Sequence, residues 1–234
     1  SRGPALIRSA VVATAAGEQG LADLGAPLPL DRLVPGPGAD TDWEVEIGFG
    51  KGTYLLRRCA EDPGRRFLGI ELAAEYWRHF VERARKRGLA NWVAIRGEAL
   101  YLISTVLPAG FAAAVHVYFP DPWPKSRHHK RRLFDPETLD LVIGLVRPGG
   151  RLLFATDFLE YGELVRGILA GYPGIRVERR DEVWDEGPRT SYEAKYIAEG
   201  RPILRLEITR EIETVPLHPL GAQGVLAATF QEAD

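Results

Sequence analysis

The chain has 234 residues, of which 45% are hydrophobic and 26% charged, with 30 basic and 32 acidic side chains and a net charge of −2. That length suits one domain with a full core, and the near balance of charge means that any nucleic-acid affinity must come from a local patch. The single cysteine, Cys59, excludes a disulfide framework, and no stretch approaches the 18 apolar residues of a membrane span, so a cytoplasmic protein is expected.

Residues 1–40 hold a mildly apolar run, Ala5–Ala16, broken by Arg8, followed by Pro27, Pro29, Pro35 and Pro37. They read as a flexible segment and a Pro-rich linker. Residues 41–210 carry alternating strand and helix patterns and read as one domain, and 211–234 form a tail without a readable signal. No internal repeat is present.

The first strong element is Trp43-Glu-Val-Glu-Ile-Gly-Phe-Gly-Lys-Gly52. Trp43, Val45 and Ile47 alternate as in a short buried strand. Gly48, Gly50 and Gly52 follow at once, and Thr53–Ala60 can begin a helix. Glycines let a backbone turn tightly and approach a ligand without a Cβ in the way. The spacing is G-x-G-x-G rather than that of a dinucleotide fold, and Glu46 stands two residues before the first glycine. This pattern resembles the first motif of Rossmann-like S-adenosylmethionine-dependent methyltransferases. A cofactor carrying sulfonium and ammonium charges favours nearby carboxylates over a phosphate cradle.

A second strand, Arg66–Glu71, ends in an acid 19 residues beyond Gly52. An acid at that distance can accept ribose hydroxyls, or it can cap the helix that follows. That helix, 73–87, places Ala74, Trp77, Val81 and Ala84 on one face and stops at Gly88. A third strand, Asn91–Arg96, leads to Glu98, an acid able to reach an adenine amine. A fourth, Ala112–Phe119, runs into Pro120-Asp121-Pro122-Trp123-Pro124. Prolines restrict both their own φ and the residue before them, so Asp121 and Trp123 are presented with little freedom. Lys125, Arg127, Lys130, Arg131 and Arg132 follow, with His128 and His129 among them. Those cations suit RNA phosphates. The histidines have no cysteine or acid at ligand spacing, and no metal is expected.

A helix over 136–146, a fifth strand Arg151–Ala155 ending in Thr156-Asp157, a helix over 161–170, and strands near 175–180 and 202–210 complete the pattern. Alternating strands and helices predict an α/β fold: a Rossmann-like class I methyltransferase with a mostly parallel sheet of about seven strands and helices on both faces. Ligands in such sheets bind beyond the carboxyl ends of the strands. Glu46, Glu71, Glu98, Asp121 and Asp157 all fall there, so five carboxylates are expected to rim one crevice.

With these residues in order, the chain resembles the bacterial tRNA (guanine-N7-)-methyltransferases. The matching stretches are Glu46–Gly52, Gly69–Glu71, Phe119–Leu133, Thr156-Asp157 and Thr190–Glu193, within about residues 43–208. The resemblance implies methyl transfer from S-adenosylmethionine to N7 of a guanine in the tRNA variable loop. It also implies no obligate protein partner, the enzyme acting as monomer or homodimer. By position it implies cofactor contacts from Glu46, Gly48, Gly50, Gly52, Glu71, Glu98 and Asp121, with Asp121 also catalytic. Lys125, Asp157, Thr190, Ser191, Tyr192 and Glu193 match substrate-binding positions. The family commonly has Asp where this chain has Glu98, and its N-terminal arm is usually more basic than residues 1–40 here.

Guanine N7 carries an in-plane lone pair, so no base must activate it, and the guanine N1–H and N2–H can donate to an acid such as Asp121, Asp157 or Glu193. Trp123, Tyr118 or Tyr192 could stack on an unstacked base, with packing the commoner role for Tyr118 inside a strand. Two other readings stay open: a methyltransferase acting on another acceptor, such as an exocyclic adenine amine, and a non-catalytic RNA-binding protein on the same fold.

Overall fold

The computed structural model describes residues 9–34, 42–122, 133–135 and 138–211. Among these residues the sheet has nine strands, in the order β2-β1-β5-β4-β3-β6-β7-β9-β8. Its centre is parallel: β3 (Trp43–Ile47) pairs with β4 (Arg66–Glu71) and β6 (Ala112–Tyr118), β4 with β5 (Trp92–Arg96), and β6 with β7 (Val146–Thr156). The flanks are antiparallel. β8 (Ile175–Arg180) and β9 (Leu204–Arg210) close one side, and β1 (Val11–Thr14) and β2 (Glu18–Gly20) the other. Nine strands therefore replace the seven expected.

The extra pair comes from the segment read as a flexible arm. Val12 faces Ile95 across the ladder, and Val12, Leu21, Leu28, Leu30 and Val34 are buried in the main core. The Leu28 N–H donates to the Val106 carbonyl at 2.7 Å. Only four residues long, β1 gives a weak periodic signal, and the nearby prolines hide it. The edge of β5 supplies the hydrogen bonds that make it a strand.

β7 also begins earlier than expected. Val146 pairs with Ala112 and Arg151 with Ala114, so Arg147–Gly150, expected as the link between a helix and the fifth strand, form an irregularity inside one strand. Gly149, at φ 76°, supplies the left-handed residue such a bulge uses. The helix before it is Leu139–Leu145.

Helices cover both faces. Trp43, Val45 and Ile47 face the core beneath helices Ala99–Thr105, Leu139–Leu145 and Leu159–Ala170. Helices Thr53–Glu61 and Ala74–Lys86 bury Leu55, Leu56, Cys59, Trp77, Phe80 and Val81 on the other side. Among the described residues no helix is long and apolar enough to cross a membrane. The chain leaves β3 toward β4 and β5, then returns to place β6 on its other side. That reversal opens a crevice beyond the ends of β3 and β6.

Candidate active site

The glycine turn opens this crevice. Gly48 and Gly50 have φ of 71° and 52°, and a Cβ at either would meet nothing within 4 Å, so both border open space. Gly52 (φ 65°) is glycine for another reason. A Cβ there would lie 2.6 Å from the Phe80 ring, so the residue lets helix Ala74–Lys86 close onto the turn.

Glu71 ends β4 and holds the turn from the side. Its Oε2 accepts the Gly50 N–H at 2.7 Å and its Oε1 the Ala73 N–H at 2.9 Å. It thus combines the capping role with a place on the crevice wall. Glu98 does the same one strand over, accepting the Leu100 N–H at 3.2 Å and the Tyr101 N–H at 2.7 Å as cap of helix Ala99–Thr105. A cavity of about 620 Å³ is lined by Gly48, Glu71, Glu98 and Asp121 with the apolar Ile47, Ile70, Leu72 and Leu100. Its size suits a nucleoside-sized ligand.

Asp121 is exposed at the rim of this cavity. The turn that delivers it starts at Phe119, whose φ of 52° is uncommon for a bulky residue. The Phe119 N–H is held by the Ala155 carbonyl at 2.7 Å, and its ring lies 5.4 Å from that of Tyr196.

A smaller cavity of about 80 Å³ joins at Gly48, lined by Glu46, Gly50, Thr53, Tyr54, Tyr118, Thr190, Ser191 and Tyr192 among others. Glu46 is 3% exposed, and its Oε2 is buried without a hydrogen-bond partner. Burial, and then repulsion from Glu71, raise its carboxyl to about 8, against the Leu55 N–H and Arg189. Glu46 thus lines this cavity with a carboxyl oxygen lacking the partner that buried polar groups normally have.

Four of the five strand-end carboxylates border these two cavities. Asp157 does not line either. It pairs with Arg201 at 3.5 Å, one strand further along. Glu193 departs more from expectation. It is wholly buried, its Oε1 pairs with Arg205 Nε at 2.7 Å, and its Oε2 accepts the Arg189 N–H at 2.8 Å. No oxygen faces the crevice for a guanine edge. Thr190 caps helix Ser191–Ala198 by accepting the Glu193 N–H at 3.0 Å. The T-x-x-E pattern is thus a capping arrangement, a signal present in the sequence. Tyr192 is 47% exposed at the mouth, whereas Tyr118 is buried and hydrogen-bonded. Trp123, Lys125, Arg127, Lys130, Arg131 and Arg132 lie outside the described residues.

A family model described as "Putative methyltransferase" matches residues 40–206. A protein of Nitrosococcus oceani named tRNA (guanine-N(7)-)-methyltransferase is 36% identical over 170 residues, covering 73% of this chain and 72% of its own. One of the same name from Alkalilimnicola ehrlichii is 35% identical over 185 residues, covering 78% and 77%. The chain belongs to the tRNA (guanine-N(7)-)-methyltransferase family. The crystal structure of a 30S ribosomal A1408 methyltransferase from an uncultured bacterium superposes with a TM-score of 0.55 at 17% identity, over 86% of this chain and 99% of that one. That likeness is one of fold, the class I methyltransferase fold.

Within this methyltransferase the sequence patterns missed several cavity residues. Thr53 and Tyr54 open a helix recognised only as a helix, and Leu72 follows Glu71 as an exposed apolar wall. Arg189 belongs to no motif, yet it touches the cavity-lining Tyr54 and Tyr118.

Proposed function

We propose that this protein is a tRNA (guanine-N7-)-methyltransferase that uses S-adenosylmethionine and modifies a guanine of the tRNA variable loop. Family membership supports the reaction, and the orphaned carboxyl oxygen of Glu46 supports the cosubstrate. A buried carboxyl without a partner suits a ligand that brings positive charge, and S-adenosylmethionine brings two such groups. Glu71 retains lone pairs after accepting two N–H groups and suits vicinal ribose hydroxyls. Ile47, Ile70 and Leu100 give an apolar slot for a purine, with Glu98 at its edge. When bound, S-adenosylmethionine supplies an electrophilic methyl group on its sulfonium.

The protein's own work is orientation and charge. Guanine N7 needs no deprotonation, so no general base is required. Holding N7 in line with the methyl–sulfur bond and excluding water can remove roughly 7–11 kcal/mol of a barrier. Methylation leaves positive charge on the ring, and a fixed carboxylate stabilises that charge as it develops. Asp121 suits this role: it stands on a Pro-bounded turn at the cavity rim, with its carboxylate exposed to an incoming base. Asp121 also suits selection of guanine over adenine, because a carboxylate accepts from N1–H and N2–H. Tyr192, exposed beside the turn, offers a face for an unstacked base. The basic run at 125–132 suits the tRNA backbone and gives a salt-dependent affinity.

The test is methyl transfer from labelled S-adenosylmethionine to unmodified bulk tRNA, followed by nucleoside digestion. Label in 7-methylguanosine is the expected result. Label in another nucleoside would retain the cosubstrate and discard the acceptor.

A further inference from the structure

A buried polar chain runs beneath the crevice and ends at Arg189. The guanidinium, with 11% of its side chain exposed, sits 4.1 Å over the Trp184 ring. Its Nη1 donates to the Tyr118 hydroxyl at 2.5 Å and its Nε to Glu186 at 2.6 Å. Tyr118 Oη lies 2.7 Å from His116 Nδ1, and His116 Nε2 lies 3.1 Å from Glu44 Oε2.

The donor directions follow from chemistry. Arginine only donates, so the Tyr118 oxygen accepts and its own O–H is left for His116 Nδ1. Burial would raise the Glu44 carboxyl, but His116, Arg58 and Arg65 together hold it well below the usual carboxylate range. An ionised Glu44 requires the His116 Nε2–H to donate, while burial keeps the imidazole neutral. Every link has one direction, so the chain defines one position for Arg189.

Two parts of the site hang on that position. Thr190, Ser191 and Tyr192 follow directly and form part of the wall of the small cavity that Glu46 and the glycine turn also line. Tyr118 is the last residue of β6, three before Asp121. We propose that Arg189 is a positioning residue for methyl transfer, locking the Thr190–Tyr192 wall to the end of β6 and setting a fixed positive charge against Tyr54 and Tyr118, which line one cavity with Glu46. The proposal rests on the methyltransferase reading above.

The charge is separable from the scaffold. Glu46 is faced by Glu71 from β4, Tyr54 and Cys59 from helix Thr53–Glu61, Tyr118 from β6, and Arg189. Burial pushes Tyr54, Cys59 and Tyr118 up, so all three stay neutral. Burial is the main reason that Glu46 holds its proton; of the neighbouring charges, Glu71 adds to that effect and Arg189 opposes it.

The experiment compares the full-length wild type with Arg189→Gln, Arg189→Lys and Tyr118→Phe. It measures steady-state methyl transfer to unmodified tRNA and calorimetric affinity for S-adenosylmethionine across pH. The α-ammonium of S-adenosylmethionine titrates in the same range but identically for every variant, so each profile is read against that shared loss; in the wild type the rising limb then has its midpoint near the Glu46 value of about 8. Arg189→Gln moves that midpoint up by roughly one unit, because a neutral side chain no longer favours the carboxylate. It also lowers kcat about 100-fold through misplacement of the wall. Arg189→Lys restores the midpoint but not kcat, since one ammonium cannot both stack on Trp184 and reach Tyr118. Tyr118→Phe keeps the ring packing and lowers kcat about 10-fold with the midpoint unchanged.

An unshifted midpoint in Arg189→Gln overturns the charge role. Wild-type kcat and KM in Tyr118→Phe and Arg189→Lys overturn the scaffold role, and those two variants decide it should Arg189→Gln fail to fold. Wild-type protein that binds S-adenosylmethionine without labelling tRNA would sink the acceptor assignment and leave the pH comparison intact.

Discussion

Glu71 holds the Gly50 N–H at 2.7 Å from the neighbouring strand, and this contact ties the glycine turn to the wall that faces it. The second oxygen takes Ala73, so one carboxylate fixes both the turn and the start of the next helix. Glutamine at 71, in the same pose, keeps one acceptor oxygen and turns an NH2 donor toward the other of these N–H groups. A hydrogen bond to a charged group contributes about 1.5–3 kcal/mol. Glu71→Gln is therefore expected to weaken S-adenosylmethionine binding about 10- to 100-fold by calorimetry, and affinity within twofold of wild type would refute the clamp.

Asp121 is exposed, and its replacement has little to disturb in the core. Asp121→Asn keeps the shape and removes the charge that stabilises a methylated ring. Turnover on tRNA should fall about 100-fold, in the range seen when a preorganised electrostatic group is lost. Affinity for S-adenosylmethionine should stay within about threefold if charge stabilisation is the main role. Turnover near wild type would remove Asp121 from the mechanism.

The Glu193–Arg205 pair is sealed in the core, with side-chain exposures of 0% and 4%. Removing one partner leaves an uncompensated buried charge and costs about 3–5 kcal/mol. Glu193→Ala is expected to lose that much in chemical denaturation, whereas the exposed Ser191→Ala stays within about 0.5 kcal/mol of wild type. Any activity lost in Glu193→Ala should track the unfolded fraction. A Glu193→Ala protein with wild-type stability and no activity would return the residue to direct substrate contact.

Glu46 makes stability fall with rising pH. Its folded carboxyl is raised from 4.5 to about 8, so between those values the native state holds a proton that the unfolded chain has released. The contribution is complete below about 4.5 and lost as pH climbs through 8. Glu44 has the opposite sign. Its lowered carboxyl contributes stability above its ordinary value, lost as pH falls below it. Glu46→Gln should flatten the decline between pH 5 and 8 in cofactor-free protein while leaving the acid limb intact, as read by denaturation midpoints. A decline as steep as that of wild type would place the titration on another group.

Much of this site is legible in local patterns. Strand, G-x-G-x-G and helix within 43–61 specify the turn, because alternation and glycine placement act over a few residues. The acids at strand ends mark one rim, since topology sends every parallel carboxyl end to the same side. The Thr190–Glu193 cap also has a local signature, T-x-x-E.

The sequence by itself determined the parallel core, the glycine turn, the order of the acids and the family. Only the tertiary structure decided which acids are available. Glu193 is consumed by Arg205, 12 residues on, and Asp157 is drawn to Arg201, while Glu46 is sealed in with an oxygen left over. It also turned Val11–Thr14 into a strand, through the edge of β5 more than 75 residues away. Arg189 gained its place from rings at 54, 118 and 184. Burial and pairing are sums over neighbours distant in the chain, and no local spacing encodes which charge meets which partner.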